Sequence, residues 1–182
     1  MNHKGTMIIE TERLILRPFT MADAEPMYRN WASDPEVTKF LTWPAHSSIQ
    51  VSEEVLECWC AQTEDPENYQ WAIVLKEVNE PIGSIAVVKL KNNIESADIG
   101  YCIGRDWWGK EIMPEALRAL INFLFKAVGC NRIAACHDVS NPNSGRVMQK
   151  AGMTYEGTWR AAGKNNRGLV DEAWYSILKE ET

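Results

Sequence analysis

The sequence lacks an apolar run long enough to cross a membrane, and residues 1–9 lack the apolar core of a signal peptide. It also lacks internal repeats, low-complexity tracts and any stretch with the composition of a linker. A chain of 182 residues, 45% of them hydrophobic, can bury one substantial core. These features predict a single soluble domain over residues 1–182, with a cytoplasmic location and no membrane partner.

Positive charge is in deficit. The chain has 19 Lys and Arg residues against 25 Asp and Glu residues, for a formal net charge of −6 at pH 7. Nucleic acid is not expected as a partner, because neutralising its phosphates requires a basic surface. A phosphate-bearing ligand would have to be held by locally placed cations or by backbone N–H groups.

Cysteine is sparse and irregularly spaced. The five cysteines are odd in number and none of their spacings resembles a zinc site, so we predict no metal centre. Reduced thiols are the expected state in the cytosol. Cys102 and Cys136 could be covalent nucleophiles, but no motif in the sequence indicates a catalytic base that would activate either thiol. That absence favours buried structural thiols.

Hydrophobic periodicity predicts the order strand, two helices, three strands, helix, strand, helix and two strands. Thr20 and Asp23 form a capping pair before the first helix, and Ser52 is expected to cap the second. The three strands with short connections are expected to pair antiparallel. The strand–helix–strand unit beside them predicts a mixed sheet with helices packed on it. The predicted fold class is α/β: a mixed, mostly antiparallel seven-stranded sheet flanked by about four helices. Strands are predicted at residues 13–17, 71–76, 82–90, 97–103, 132–137, 158–162 and 170–178.

The junction between the 97–103 strand and the next helix predicts an anion site. The first N–H groups of a helix have no partner within the helix, and together with the helix dipole they suit a pyrophosphate. Gly109 permits close approach of the backbone, and Lys110 adds positive charge. An ordinary strand–loop–helix turn with a solvated lysine explains the same residues. The segment is not a Walker loop, because Glu111 follows Lys110.

Several segments in chain order carry a resemblance to a known family. Residues 12–18 (ERLILRP) and 43–46 (WPAH) precede residues 99–103 (IGYCI), which lead through 108–110 (WGK) to 115–117 (EAL). Residues 131–133, His137 and the run 141–153 complete the set. The chain resembles the GNAT superfamily of N-acetyltransferases, in particular its RimJ/RimL-type branch, which acetylates the amino termini of ribosomal proteins. The resemblance implies a GNAT fold and direct transfer of an acetyl group from acetyl-CoA to an amine, with no covalent enzyme intermediate.

The same resemblance implies a set of residues that bind the coenzyme. Asn141 would hold the pantetheine amide, and Arg146 could meet a phosphate, as could Lys150 one helical turn away; a solvated helix face is the alternative for both cations. The pyrophosphate loop departs from the family pattern at three positions, where Trp108, Glu111 and Met113 replace Gln or Arg, Gly and a small residue. A carboxylate at position 111 repels pyrophosphate unless it points away. The implied set is Tyr101, Cys102, Ile103, Trp108, Gly109, Lys110, Glu111, Ile112, Met113, Asn141, Ser144 and Arg146.

Catalysis by this route needs a neutral amine and a protonated leaving thiolate. Ser144 is the candidate acid, by resemblance to a serine in the same Asn-x-x-Ser stretch, although Asn141 and Ser144 are also ordinary turn and cap residues. Asp98 and Glu95 are the candidate bases, with exposed carboxylates as the alternative. His46 could also act as a base, or it could pack beside Trp43.

The acceptor is predicted to be a primary amine. An α-amine has a pKa near ~8 and is easier to neutralise than a lysine near ~10.4, which favours a protein or peptide N-terminus. A small amine such as a polyamine, an amino acid or an antibiotic remains an alternative, as does a non-catalytic coenzyme-A-binding domain. A homodimer is left open. Trp31, Trp43 and His46 are candidate acceptor residues, together with Trp159, with core packing as the alternative for the tryptophans.

Overall fold

The computed structural model describes all 182 residues and contains eight strands and five α-helices. The strands are β1 (Ile9–Glu10), β2 (Leu14–Pro18), β3 (Gln70–Leu75), β4 (Glu80–Lys91), β5 (Ser96–Ile103), β6 (Arg132–Asp138), β7 (Thr154–Asn165) and β8 (Gly168–Leu178). The α-helices are α1 (Ala24–Met27), α2 (Pro35–Thr38), α3 (Ile49–Ala61), α4 (Ile112–Phe123) and α5 (Pro142–Lys150). Wider helical turns continue α1 over Tyr28–Ala32 and α4 over Leu124–Val128.

All eight strands form one sheet in the order β1-β2-β3-β4-β5-β6-β8-β7. Only β5 and β6 pair in parallel, and every other neighbouring pair is antiparallel. The predicted mixed, mostly antiparallel sheet is therefore confirmed. The additional strand is β1, whose two residues are too few to show the alternation by which a strand is recognised in a sequence.

Helices cover both faces of the sheet. Alternate residues of β3 belong to different apolar clusters, with Ile73 on the side of α4 and with Ala72 and Val74 on the side of α1 and α3. This alternation follows from the two-residue period of a strand. Leu117 and Leu120 of α4 are wholly buried, as their helical spacing predicts. None of the helices has the length and apolar character needed to cross a membrane.

Most of the predicted element boundaries are close to those observed. The Asp23 carboxylate accepts a hydrogen bond from the Thr20 N–H at 2.8 Å, as the predicted capping pair requires. Gly129 and Gly152 follow the ends of the α4 extension and of α5, with φ values of 83° and 92°. Such left-handed positions favour glycine because it has no Cβ.

Two local predictions are wrong. Ser52 does not cap α3, because the helix begins at Ile49 with Ser48 at the capping position, and the buried Ser52 hydroxyl lies 2.8 Å from Nδ1 of His46. The expected loop at 163–168 is a tight hairpin turn, since β7 runs to Asn165 and β8 begins at Gly168. The hairpin is longer than predicted because β7 is an exposed edge strand, whose polar residues hide the apolar pattern.

Candidate active site

The site is created by the separation of β5 from β6. The two strands pair only over Ser96–Asp98 and Arg132–Ala134. Beyond that point β5 stays paired with β4 alone and β6 with β8 alone. The facing edges of residues 99–103 and 135–138 therefore open into a cavity of about 800 Å³ that residues from both strands line. Main-chain groups on these edges are free to bond a ligand.

The start of α4 forms one end of this cavity. None of the N–H groups from Gly109 to Met113 makes a backbone hydrogen bond. Five consecutive free donors at a helix N-terminus are suited to bind an anion, so the local geometry is compatible with the anion site that the sequence predicts. Gly109 has a φ of 72°, a conformation that glycine adopts without steric cost. Trp108, which lines the cavity, ties the loop to the end of β5, because its indole N–H donates to the Ile103 carbonyl at 2.9 Å.

Glu111 is the residue whose charge argued against pyrophosphate binding. Its carboxylate forms an ion pair with the Lys150 ammonium on α5, so the negative charge is partly neutralised and directed at that helix. The backbone of Glu111 is left-handed, with φ 60° and ψ 15°. A side chain is disfavoured in this conformation, which explains why glycine is the expected residue at this position.

Ser144 and Tyr101 meet across the cavity. The Tyr101 hydroxyl lies 3.0 Å from Oγ of Ser144 and 3.0 Å from its carbonyl oxygen. Burial raises the pKa of Tyr101, and the bond to Ser144 only partly opposes this effect. The phenol therefore remains protonated and can act as a proton donor to Ser144.

Most of the predicted coenzyme residues line this one cavity. Lys110 does not, since its side chain is exposed and its carbonyl oxygen accepts a bond from Arg13. Arg146 is exposed at the cavity and donates to Oδ1 of Asn143 at 3.2 Å. The predicted residues that line it are Tyr101, Cys102, Ile103, Trp108, Gly109, Glu111, Ile112, Met113, Asn141, Ser144, Arg146 and, from the acceptor set, Trp43.

Neither predicted base faces the cavity. Asp98 is 6% exposed, and Lys91 binds its carboxylate at 2.8 Å. The Glu95 carboxylate lies 3.8 Å from the Met1 amino nitrogen, outside the cavity lining. Both residues precede the point where β5 and β6 separate, so their position in the strand keeps them away from the opening. The geometry does not support either of them as the base.

Trp43 is the one predicted acceptor residue on the cavity wall. Trp31 is completely buried among apolar side chains between the sheet and α1. His46 is buried behind Trp43, with their ring centroids 5.2 Å apart, and burial lowers its pKa. Trp159 is 58% exposed and packs on Trp174, away from the cavity. Core packing thus accounts for Trp31, and packing beside Trp43 accounts for His46.

Glu172 is a cavity residue that the sequence did not indicate. It lies on β8, on the same face of the sheet as Asp138 of β6, with which it is paired in register. Its carboxylate accepts a bond from the Trp174 indole N–H at 3.2 Å and has no cationic partner. No motif marks this glutamate, since only the β6–β8 pairing brings it to the cavity.

Two neighbours of Glu172 are poor candidates for acid–base work. Asp138 is bound by Asn165, Ser140 and Arg167; burial alone would raise its pKa, but these partners hold the pKa below its usual value. Burial, followed by the nearby Glu172 charge, raises the pKa of Cys136 to about 12. A protonated thiol is a weak nucleophile, which agrees with the structural role expected for Cys136.

Residues 38–43 and the turn between β7 and β8 together form a roof over one end of the cavity. The Asn166 side chain donates to the carbonyls of Thr38 at 2.8 Å and Trp43 at 2.7 Å, and its backbone N–H donates to Leu41 at 3.1 Å. The turn between β7 and β8 is thereby tied to residues 38–43. Arg167 adds a contact over the Phe40 ring at 5.6 Å. A split strand pair with a free helix start at one end and a roofed pocket at the other can hold two ligands end to end.

Comparison with known proteins identifies the family. A sequence profile for the acetyltransferase (GNAT) domain matches residues 13–154. The uncharacterized N-acetyltransferase p20 of Bacillus licheniformis is 30% identical over 171 residues, which cover 94% of this chain and 96% of p20. A crystal structure of a GNAT-family acetyltransferase from Bacillus anthracis matches with a TM-score of 0.83 at 26% identity, covering 96% of this chain and 99% of that one. The chain belongs to the GNAT acetyltransferase family and is an N-acetyltransferase that uses acetyl-CoA.

Two other similar proteins show that related folds carry different functions. The [ribosomal protein uS5]-alanine N-acetyltransferase of Escherichia coli is 32% identical over 68 residues, 37% of this chain and 35% of that enzyme. The structure of the microcin C7 self immunity acetyltransferase MccE in complex with acetyl-CoA and AMP matches with a TM-score of 0.83 at 23% identity, over 92% of this chain and 93% of that one. One fold thus carries different functions, and the fold alone does not identify the acceptor.

Replacing Glu111 with glycine should improve both coenzyme binding and stability. The change removes a negative charge beside the anion site, releases Lys150 and relieves the left-handed backbone. We expect Glu111→Gly to bind acetyl-CoA about three-fold more tightly and to unfold at a slightly higher temperature.

Glu111→Ala is the matched control, since it removes the charge and keeps the disfavoured backbone conformation. It should share the gain in affinity without the gain in melting temperature. Calorimetry with acetyl-CoA and thermal unfolding measure the two effects. Weaker coenzyme binding by both variants would show that the ion pair with Lys150 supports the site.

Proposed function

We propose that this enzyme acetylates the N-terminal α-amine of a protein or peptide by direct attack within a ternary complex. The observation that carries the proposal is the continuous cavity, which joins the free N–H groups before α4 to the pocket beside Trp43 and Glu172 through the gap between β5 and β6. The diphosphate of the coenzyme would lie at the α4 N-terminus, and its pantetheine arm along the free edge of β5.

Charge supports an amine acceptor at the roofed end. Glu36 and Glu172 line the cavity there against one lysine, Lys164; Glu172 has no ion-pair partner, and Glu36 lies 3.8 Å from the Lys39 ammonium. An ammonium group is attracted by these carboxylates, whereas a carboxylate substrate is repelled. The acidic lining does not separate an α-amine from a polyamine, but an α-amine loses its proton near neutral pH with little assistance. The local similarity to the uS5-alanine N-acetyltransferase agrees with this choice.

Glu172 is the base that the geometry supports best. Its carboxylate lies on the cavity wall, is free of cations and has Cys136 and Asp138 as neighbours on the same sheet face. It would take a proton from the ammonium form of the bound acceptor, directly or through water, so that the neutral nitrogen can bond to the thioester carbon; the second proton, which the nitrogen releases as the amide forms, would pass to water. Main-chain N–H groups at the free edge of β5 would stabilise the negative charge on the carbonyl oxygen.

Ser144 is the proposed acid, with Tyr101 behind it. As the carbon–sulfur bond breaks, the Ser144 hydroxyl would give its proton to the departing thiolate, and the Tyr101 hydroxyl would resupply that proton through their 3.0 Å contact. The raised pKa of Tyr101 suits a group that must stay protonated until the sulfur becomes charged.

A small amine is the alternative acceptor. The three bonds from Asn166 fix the roof to residues 38–43, and a fixed roof favours a short molecule over an extended chain. Asn166→Ala removes the side-chain bonds that hold this roof, so its activity distinguishes a peptide acceptor from a small amine. An enzyme for peptides should gain or keep activity in this variant, whereas an enzyme for a small amine should lose affinity for its acceptor.

A thiol-release assay over a panel of acceptors tests the proposal. The panel contains N-terminal peptides, intact ribosomal proteins, polyamines and free amino acids, each at equal concentration with saturating acetyl-CoA. We expect the highest kcat/KM for substrates with a free α-amine at the end of a chain, and loss of activity when that amine is blocked. Turnover of polyamines or amino acids alone would replace the peptide assignment with the small-amine alternative.

Glu172→Gln should lower kcat about 100-fold near neutral pH, because the amide cannot accept the amine proton. The deficit should shrink as the pH rises past the pKa of the acceptor amine, since a neutral amine needs no base. The pH–rate profile measures this effect. Glu156→Gln is the control, since that carboxylate is bound by Arg132 outside the cavity. A deficit that stays constant with pH would exclude Glu172 as the base.

Ser144→Ala should reduce kcat by about ten-fold or more while changing the Kd for acetyl-CoA less than two-fold, because a general acid acts only when the leaving group forms. Tyr101→Phe should give a smaller decrease. Single-turnover kinetics with calorimetry for the coenzyme separate the two quantities. An unchanged kcat in Ser144→Ala would remove this residue from the mechanism.

A further inference from the structure

The loop before α4 is held from behind by one arginine that lies far away in the sequence. Arg13 directly precedes β2, and its side chain reaches across to the loop and to α4. Its Nη1 donates to the Lys110 carbonyl at 3.0 Å, its Nη2 donates to the Glu111 carbonyl at 3.0 Å, and its Nε donates to Oε2 of Glu115 at 2.6 Å. All three nitrogens of one guanidinium are therefore used on this loop and its helix.

These bonds determine where the loop N–H groups point. The chain has no cis peptide bond, and in a trans peptide the C=O and N–H groups point in opposite directions. Arg13 holds the carbonyls of Lys110 and Glu111, so the N–H groups of Glu111 and Ile112 in the same peptides point away from Arg13. Both residues line the cavity, and neither N–H has a backbone partner.

Glu115 fixes the guanidinium in turn. Its carboxylate accepts bonds from the Thr11 hydroxyl at 2.5 Å and from the Arg13 backbone N–H at 3.1 Å, in addition to Nε of Arg13. Burial opposes ionisation of Glu115, but these bonds prevail and hold its pKa below the usual value. The carboxylate is therefore charged near neutral pH and pairs with Arg13.

The loop needs such support because its conformation is unfavourable on its own. Glu111 is a left-handed residue other than glycine, and a disfavoured backbone persists only where its surroundings hold it in place. The five free N–H groups from Gly109 to Met113 also lack any internal bonds that would fix their directions. The two bonds from Arg13 replace them.

We propose that Arg13 is a positioning residue of the coenzyme site, which orients the peptide groups before α4 so that their N–H groups bind the diphosphate of acetyl-CoA. The proposal rests on the placement of the coenzyme given under the proposed function. Arg13 itself stays behind the loop and touches neither substrate. Its contribution should appear in the affinity for ligands that carry the diphosphate, and in no other step.

The test compares two acetyl donors. Acetyl-CoA carries the diphosphate, whereas S-acetyl-pantetheine has the same thioester and arm without it. For Arg13→Ala we expect the Kd and KM for acetyl-CoA to rise by about ten-fold, with kcat at saturation within two-fold of wild type. The KM for S-acetyl-pantetheine should change by less than about two-fold.

Arg13→Lys is a second variant in case Arg13→Ala does not fold, because lysine keeps the positive charge and the pairing with Glu115. One ammonium cannot reach both carbonyls and Glu115 as a planar fork does, so this variant should also bind acetyl-CoA more weakly. Arg29→Ala is the matched control, since Arg29 is an exposed arginine that pairs with Glu25 and Glu80 away from the cavity. Thermal unfolding shows that each variant is folded at the assay temperature.

Three results would overturn the inference. Wild-type affinity for acetyl-CoA in both Arg13 variants would show that the loop needs no support. An equal loss with both acetyl donors would show a general structural role in place of diphosphate positioning. Failure of the wild-type protein to bind acetyl-CoA would instead remove the coenzyme placement itself, and the inference with it.

Discussion

The early end of the parallel pairing between β5 and β6 is the constraint on which the site depends. Three residues of each strand pair, and each strand then continues with its antiparallel neighbour alone. The main-chain N–H and C=O groups at the edge of a strand normally form hydrogen bonds with the next strand. Where β5 and β6 separate, these donors and acceptors are available to a ligand. The helices after the two strands, α4 and α5, begin at the same opening. The split thus brings the α4 anion site, Ser144 and the β6–β8 wall around one cavity.

In the placement proposed for the coenzyme, recognition of its diphosphate by this acidic protein rests on the backbone more than on side-chain charge. The free N–H groups before α4 carry dipolar positive charge that does not depend on residue type, which explains how the loop tolerates Glu111 and Met113. The unfavourable features of the loop are compensated locally. Lys150 pairs with the Glu111 carboxylate, and Arg13 holds the carbonyls on the far side.

The same topology selects among the many carboxylates of the chain. Asp98 and Glu95 lie before the split and are engaged by Lys91 and by the amino terminus, whereas Glu172 lies beside it without a cation. Asp138 is at the cavity but is committed to Arg167 and Asn165. In the proposed mechanism, position relative to the split and freedom from a strong partner favour Glu172 as the acid that takes a proton from the amine.

The sequence by itself determined the elements with long, regular patterns and the free helix start at α4. Apolar spacing along α4 and alternation in β3–β6 are local properties, and the run from Ile99 to Met113 contains both the strand and the helix start that create the free N–H groups. Only the tertiary structure decided which remote residues serve that site. Arg13 and Glu172 reach it through packing and strand pairing with residues far away in the sequence. Tertiary packing likewise buries Trp31 and His46. Such contacts leave no periodic trace in the amino-acid sequence, because they depend on which surfaces meet after the elements have formed.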